Sequence, residues 1–304
     1  MIKPYVIVTH TVLFYENSGG FYMNRIVRTS TAVITSALLL TGCASGSTAS
    51  TTTSASSSTT ATETLRVGME CNYAPFNWTT TTANDTTQKI SSADYCDGYD
   101  VVIATKLATA VGRNVEIVKL DWDNLILSLQ NNQIDAIIAG MTDTPEREQE
   151  VSFTDPYYES EEVMIVRADG KYASATSIQD FSGATVQGQM NTIYDEVIDQ
   201  INGVTHQPAA ESFPAAIQAL QSGAIDGVVS ELPVANGVVA ANKELSIVRF
   251  ASGKGFTADT TVSVAVRKTD TDLKDALNTA LSNISTSERE SLMEAAVNRQ
   301  PATN

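Results

Sequence analysis

From Leu65 onward the chain alternates short apolar runs with segments whose apolar residues recur every three or four positions. "TLRVGME" (64–70) reads as a short strand. In "GYDVVIATKLATAVG" (98–112) Val101, Val102, Ala104, Leu107, Ala108 and Val111 fall at helical spacing, with Gly112 as a stop. "NVEIVKL" is the next strand, and "DWDNLILSLQNN" a helix that Asp121 is placed to cap. "IDAIIAGM" is apolar at nearly every position, the pattern of a strand buried on both faces, and "EEVMIVRAD" is another strand. The pattern then repeats. "SIQDFSGATVQG" turns into a strand, "NTIYDEVIDQIN" and "SFPAAIQALQSG" are helices, and "AIDGVVS" is a strand. "LILSLQNNQIDAIIAG" and "AAIQALQSGAIDGVVS" both read as helix, polar turn, Ile-Asp and buried strand. Two α/β units of similar build predict two α/β lobes. "TTVSVAVRKT" (260–269) is a return strand, and the helices "DLKDALNTALSNI" and "SERESLMEAAVNR" take the chain back to the first lobe. A cleft between lobes is where small ligands sit.

The N-terminus has a different pattern. Arg25 and Arg28 precede "AVITSALLL" (32–40), and "TGCAS" follows. A basic head, a short apolar run and small residues make a secretory signal, and the run is too short to span a bilayer, which takes about 20 helical residues. Met23 gives this signal a compact head and is the better start; a long leader from Met1 is the alternative. "LTGC" resembles the lipobox of bacterial lipoproteins, in which Cys43 takes the lipid. A buried free thiol at Cys43 fits poorly beside residues 44–64, which are Ser or Thr at 15 of 21 positions. So polar a tract has too little apolar surface to offset the entropy of ordering it, and reads as a tether.

The formal net charge is −16, and the leader holds more basic than acidic residues. An acidic chain excludes nucleic acid and anionic lipid surfaces as partners, since both need basic patches. Beyond the leader no apolar run is long enough to cross a membrane. Two cysteines remain, Cys71 and Cys96. An exported location permits a disulfide between them, worth ~3 kcal/mol for a loop of this size; two free thiols are the alternative.

Four stretches, "LRVGMECNYAPFNW", "GYDVVIATKLA", "WDNLILSLQNNQIDAIIAGMTDTPEREQEVSFTDPYY" and "AIDGVVSELPVA", resemble the type II periplasmic solute-binding proteins of ABC importers, in the polar amino-acid branch called family 3. The resemblance runs from about Leu65 to about Val297. It implies an α/β fold of two lobes, each a mixed sheet flanked by helices, joined by two crossover strands near 158–163 and 250–261. The expected organisation is leader and signal at 1–42, tether at 43–64, lobe 1 at 65–160 plus 258–304, and lobe 2 at 161–257. It also implies a monomeric receptor, held by its lipid to the outer face of the cell membrane, that passes an amino acid to a permease with its ATPase. No cofactor or metal is expected.

The resemblance assigns site residues. Arg147, after "MTDTPE", matches the arginine that grips the ligand's α-carboxylate; a planar guanidinium holds a carboxylate by two parallel hydrogen bonds. The competing reading is a surface pair with Glu146 or Glu148, which is common and weak. Thr142 matches a partner of the same carboxylate, and Gly140 a carbonyl facing the α-ammonium. Glu231 in "VVSELPVA" matches the acid that binds this ammonium and lies at a strand end, where α/β sheets put ligands; a capping or solvated glutamate is the alternative. Thr192 and the backbone of Ile193 match an anion-binding helix start, although Asn191 stands where many members have glycine. Tyr73 and Trp122 match two aromatics that sandwich the ligand, against core packing as the bland reading. Glu70 and Gln189 match selectivity positions. Glu70 with two aromatics suits arginine, lysine or histidine, and with Gln189 also glutamine; it disfavours glutamate and aspartate.

Two other functions compete. Cyclohexadienyl dehydratases resemble this family and use cleft carboxylates for acid–base work, for which Glu70 or Glu231 would serve. Their ligands carry a further carboxylate, and only Arg147 is evident as an anion clamp. A sensor ectodomain would need a separate membrane partner. His206, the one histidine after the leader, reads as an exposed loop residue, so no Ser/His/Asp set can be built, and no zinc-ligand spacing is found.

Overall fold

The structure is a computed structural model and describes residues 62–301. The leader, Cys43 and nearly all of the tether lie outside the described residues. The chain first forms β1 (Thr64–Met69), β2 (Asn72–Tyr73), β3 (Asn77–Thr80), β4 (Gln88–Lys89), β5 (Tyr95–Asp97), α1 (Tyr99–Ala110), β6 (Asn114–Lys119), α2 (Leu125–Gln130), β7 (Ala136–Ile137), α3 (Pro145–Glu148) and β8 (Ser152–Glu159). It then makes β9 (Glu162–Arg167), β10 (Thr185–Gln187), α4 (Ile193–Glu196), β11 (Thr205–His206), α5 (Phe213–Gln221), β12 (Gly227–Glu231), α6 (Leu232–Ala241) and β13 (Leu245–Val248). It returns through β14 (Thr261–Val266), α7 (Thr271–Ser282) and α8 (Thr286–Arg299).

Two five-stranded sheets share one plan. The first runs β6-β1-β7-β14-β8 and the second β11-β10-β12-β9-β13. In each, the fourth strand alone, β14 or β9, runs antiparallel to the other four. The chain leaves the first sheet after β8 and rejoins it at β14, so one sheet with its helices forms each lobe. Here β8 and β14 pair out to Glu159 and Thr261, the point where both cross.

The Ile-Asp repeat seen in the sequence is the same clamp built twice. The Asp135 carboxylate accepts from the backbone N–H of Arg66, and that of Asp226 from the backbone N–H of Thr185. Arg267, just past β14, donates to the carbonyls of Leu129 and Ile134 and to Asp135. Arg167, at the end of β9, donates to the carbonyls of Leu220 and Ile225 and to Asp226. Each arginine thus adds donors to carbonyls at the helix–strand turn, where the helix itself leaves acceptors to be satisfied.

On α1 Val101, Ala104, Leu107 and Ala108 are buried as their spacing predicts, whereas Val102 and Val111 are half-buried and Ile103, outside that set, is buried. The start of α1 is fixed by Gly98, whose φ is 135° and where a Cβ would lie 2.1 Å from the carbonyl oxygen of Phe76. Only glycine fits there. Tyr99 and Asp100 N–H donate to the carbonyls of Pro75 and Phe76, which fastens the Tyr73–Phe76 loop to the helix. Between β1 and α1 lies a four-stranded sheet, β2-β3-β5-β4. Cys71 and Cys96 are bridged across it, with Cα atoms 5.7 Å apart.

Several elements differ from expectation. Asp121 caps nothing with its side chain: Trp122–Asn124 form a 3-10 turn before α2 begins. "IDAIIAGM" is buried except at Asp135 and Gly140, but only Ala136 and Ile137 are strand, and the chain bends at Gly140 (φ 62°) toward α3. "NTIYDEVIDQIN" tightens after Glu196 into a 3-10 turn. Helix α6 has no counterpart in the sequence reading. His206 is not an exposed loop residue: it sits on β11 with its ring nitrogens 2.9 and 3.0 Å from Asp199 and Asp195. Those two acids raise its pKa against the lowering effect of burial.

Candidate ligand-binding site

The cleft between the lobes is lined by residues of both. From lobe 1 come Glu70 and Tyr73 after β1, Trp122 before α2, and Gly140, Thr142 and Arg147 after β7. From lobe 2 come Gln189, Thr192 and Ile193 around the start of α4. The structure therefore gathers nine of the expected residues on one surface. Glu231 is the tenth, and it lies beneath that surface rather than on it. It ends β12, is 0% exposed, and accepts hydrogen bonds of 2.7 Å from the hydroxyls of Tyr73 and Ser160. Its side chain does not cap α6.

Arg147 reaches across the cleft. The hydroxyl of Thr144 accepts from its backbone N–H and starts α3. Its guanidinium donates to the carbonyl of Thr142 and, from lobe 1 to lobe 2, to that of Asn191, each at 2.8 Å. It also lies over the Trp122 ring, 5.3 Å from the centroid. Burial lowers its pKa, and the surrounding acids oppose this. No ion pair of Arg147 with Glu146 or Glu148 is found among the described residues. Asn191 closes the same edge: its carbonyl also accepts from Trp122 Nε1, and its side chain donates to Asp123 at 2.6 Å. Its φ of 59° explains how asparagine stands in for glycine, since it tolerates the left-handed region better than most residues.

The side of the cleft facing Glu70 is acidic. Glu70 is 7% exposed and its carboxylate meets Gln189 Nε2 at 3.4 Å. Burial first, then repulsion from Asp121 and Asp123, push its pKa up to about 7 against the hydrogen bond from Gln189. Tyr73 stacks on Phe76 and meets Phe213 of α5 edge-on, so its ring is held from both lobes. Thr192 donates its hydroxyl to the carbonyl of Gln189, which leaves the α4 start to offer backbone N–H groups.

A buried chain supports lobe 1. Gly140 N–H donates to the Tyr157 hydroxyl, which donates to Asp100; Asn77 donates to the other Asp100 oxygen and accepts from Cys71 N–H. It ties Gly140 to the segment carrying Glu70 and Tyr73.

The model of the bacterial extracellular solute-binding proteins, family 3, matches residues 65–295. The chain belongs to this family. It is 32% identical to the putative ABC transporter arginine-binding protein 2 of Escherichia coli K12 over 225 residues, 74% of this chain and 86% of that protein. Among solved structures, it resembles the arginine-bound form of truncated ArgBP from T. maritima (TM-score 0.61, 30% identity, 73% of this chain and 96% of that one). It also resembles an ancestral arginine-binding protein bound to glutamine (TM-score 0.64, 29% identity, 76% and 96%). The family member described here thus has the two-lobed fold of an amino-acid-binding receptor of ABC transport.

Sequence reasoning missed four residues around this cleft. Phe213 and Tyr194 line it, and Ser160 and Glu162 lie below it. Phe213 had a faint signal, an aromatic just before the proline that opens α5. Tyr194 follows the expected Ile193 on α4, Ser160 lies in the crossover after β8, and Glu162 reaches the site through strand pairing.

Proposed function

We propose that this protein is a lipid-anchored receptor for an amino acid with a cationic side chain, arginine foremost. Arg147 takes the α-carboxylate together with the start of α4, Glu231 and the Tyr73 hydroxyl receive the α-ammonium, and the side chain runs between Tyr73 and Trp122 to Glu70. The observation that carries this reading is Glu70. A carboxylate 7% exposed, beside two further acids and met only by the Gln189 amide and the Trp122 backbone among the described residues, lacks a cation. Leaving a buried charge unpaired costs several kcal/mol, and a guanidinium or ammonium from the ligand removes that cost. The arginine-binding names of the relatives support the same ligand class. Cys43, in "LTGC", is the site of the lipid.

Closure is the mechanism. Each lobe contributes part of the ligand's shell, so a bound ligand favours the closed arrangement by the contacts it makes with both. Glu70→Gln tests the reading by calorimetry with L-arginine and L-glutamine. The expected result is a loss of roughly 100-fold for arginine, from one charge pair at about 1.4 kcal/mol per tenfold, with little change for glutamine. Equal losses for both ligands would reject the role given to Glu70.

A further inference from the structure

Two carboxylates lie side by side under the cleft. Glu162 of β9 and Glu231 of β12 are directly paired across antiparallel strands, so both side chains leave the same face of the sheet. Glu162 is 8% exposed and Glu231 0%. One oxygen of Glu162 is fully enclosed and has no hydrogen-bond partner. Among the described residues no ion pair reaches either group. The groups that face them are Tyr73 from β2, Asp100 from α1, Tyr158 from β8, Ser160 from the crossover and Tyr194 from α4, none of them a cation. Two charges of one sign in such surroundings cannot both persist without a counter-charge.

We propose that Glu162 is a second carboxylate of the ammonium subsite, which shares one proton with Glu231 while no ligand is bound and gives it up to solvent when the ligand's ammonium arrives. The inference rests on the reading of the cleft as an amino-acid site. Charge balances: the ammonium enters with one positive charge, one proton leaves, and the pair becomes doubly ionised beside its new counter-ion. Burial raises both carboxyls, against hydrogen bonds from Ser160, Tyr73 and Tyr194 at Glu231, and repulsion from Glu231 adds to burial at Glu162 and brings it to about 7, so the proton is present near neutral pH. Binding that releases a proton strengthens as pH rises and weakens as it falls, by up to about tenfold per pH unit. An amide at position 162 would keep the shape and remove the shared proton.

The test is calorimetric titration with L-arginine at pH 7 in two buffers of different ionisation enthalpy, which counts protons released per ligand. Glu70 titrates in the same range and adds its own proton. The comparison is therefore among wild type, Glu70→Gln and Glu162→Gln. Glu70→Gln at saturating arginine should still release protons. Glu162→Gln should release clearly fewer than wild type, and its loss of affinity with acid should move to lower pH. An unchanged proton count in Glu162→Gln overturns the proposal. If that variant does not fold, Glu70→Gln decides alone: no proton release there overturns it equally. If no natural amino acid binds at all, the reading of the cleft has failed, an outcome distinct from binding without proton release, and the inference falls with it.

Discussion

Asn191 is the residue at which the lobes are fastened most directly, and Asn191→Asp isolates that contact. Aspartate has the same shape and accepts the left-handed backbone at φ 59°, so the turn is kept. The carbonyl that receives Arg147 and Trp122 is also kept. What changes is the side chain: a donor 2.6 Å from Asp123 becomes a second carboxylate. A hydrogen bond to a charged group contributes about 1.5–3 kcal/mol when shielded, less here because the pair is exposed. Repulsion at this distance adds to the loss. We expect the closed form to lose about 1–2 kcal/mol, which is roughly five- to thirtyfold in dissociation rate. Trp122 supplies the assay, because its indole N–H bonds across the closing edge and the only other tryptophan, Trp78, lies buried in the small sheet. Stopped-flow fluorescence with L-arginine gives the rate. Screening shortens to about 3 Å in 1 M salt, so the deficit should shrink there. A dissociation rate within twofold of wild type at low salt, or a deficit indifferent to salt, would refute the latch.

Arg147→Ala should weaken amino-acid binding at least ~100-fold, since it removes one partner of a buried charge pair, while the ligand-free melting temperature changes little; unchanged affinity by calorimetry would remove Arg147 from the site. Arg167→Leu and Arg267→Leu should each destabilise the protein by about 1–3 kcal/mol, because each removes a guanidinium's hydrogen bonds to two turn carbonyls and an aspartate; chemical denaturation measures it, and a marked difference between the two would argue against their equivalence. Cys71→Ser with Cys96→Ser should cost ~3 kcal/mol for a sequence separation of 25, read as a fall of several degrees in thermal melting; an equal fall from reductant on wild type checks that the bridge is the cause.

What the sequence made legible was what repeats or what sits in one continuous stretch. Arg147, Thr142 and Gly140 come from a single loop, and the doubled Ile-Asp pattern announced two lobes. The arginines that complete the clamp were not visible. Arg167 and Arg267 lie far along the chain from the aspartates they hold, and only the strand order brings them there. Helix α6 escaped for a different reason: "LPVANGVVAA" is apolar on all faces because it packs against β12, β13 and α8 at once, so it has no polar stripe to mark a period. Asp121 looked like a cap, but the next residues tighten into a 3-10 turn and its side chain makes no capping bond. His206 looked solvated because neither acid that holds it, Asp195 or Asp199, is its neighbour in sequence.

The balance of charge around the cleft draws these strands together. Among the described residues Arg147 is the one cation lining it, and its guanidinium is hydrogen-bonded to backbone carbonyls rather than to an acid. Against it stand Glu70 at the wall and Glu231 with Glu162 below the floor. An amino acid with a neutral side chain, in the orientation proposed above, supplies a carboxylate for Arg147 and an ammonium for Glu231, and Glu70 stays without a partner. A cationic side chain supplies the missing charge at Glu70, and the ligand's ammonium takes the place of the proton that the floor pair holds in its absence. An acidic side chain would set a third carboxylate against Glu70 and the neighbouring Asp121 and Asp123. Selectivity then follows less from the shape of the aromatic walls, which accept any flat or aliphatic group, than from how many buried carboxylates each ligand leaves unpaired.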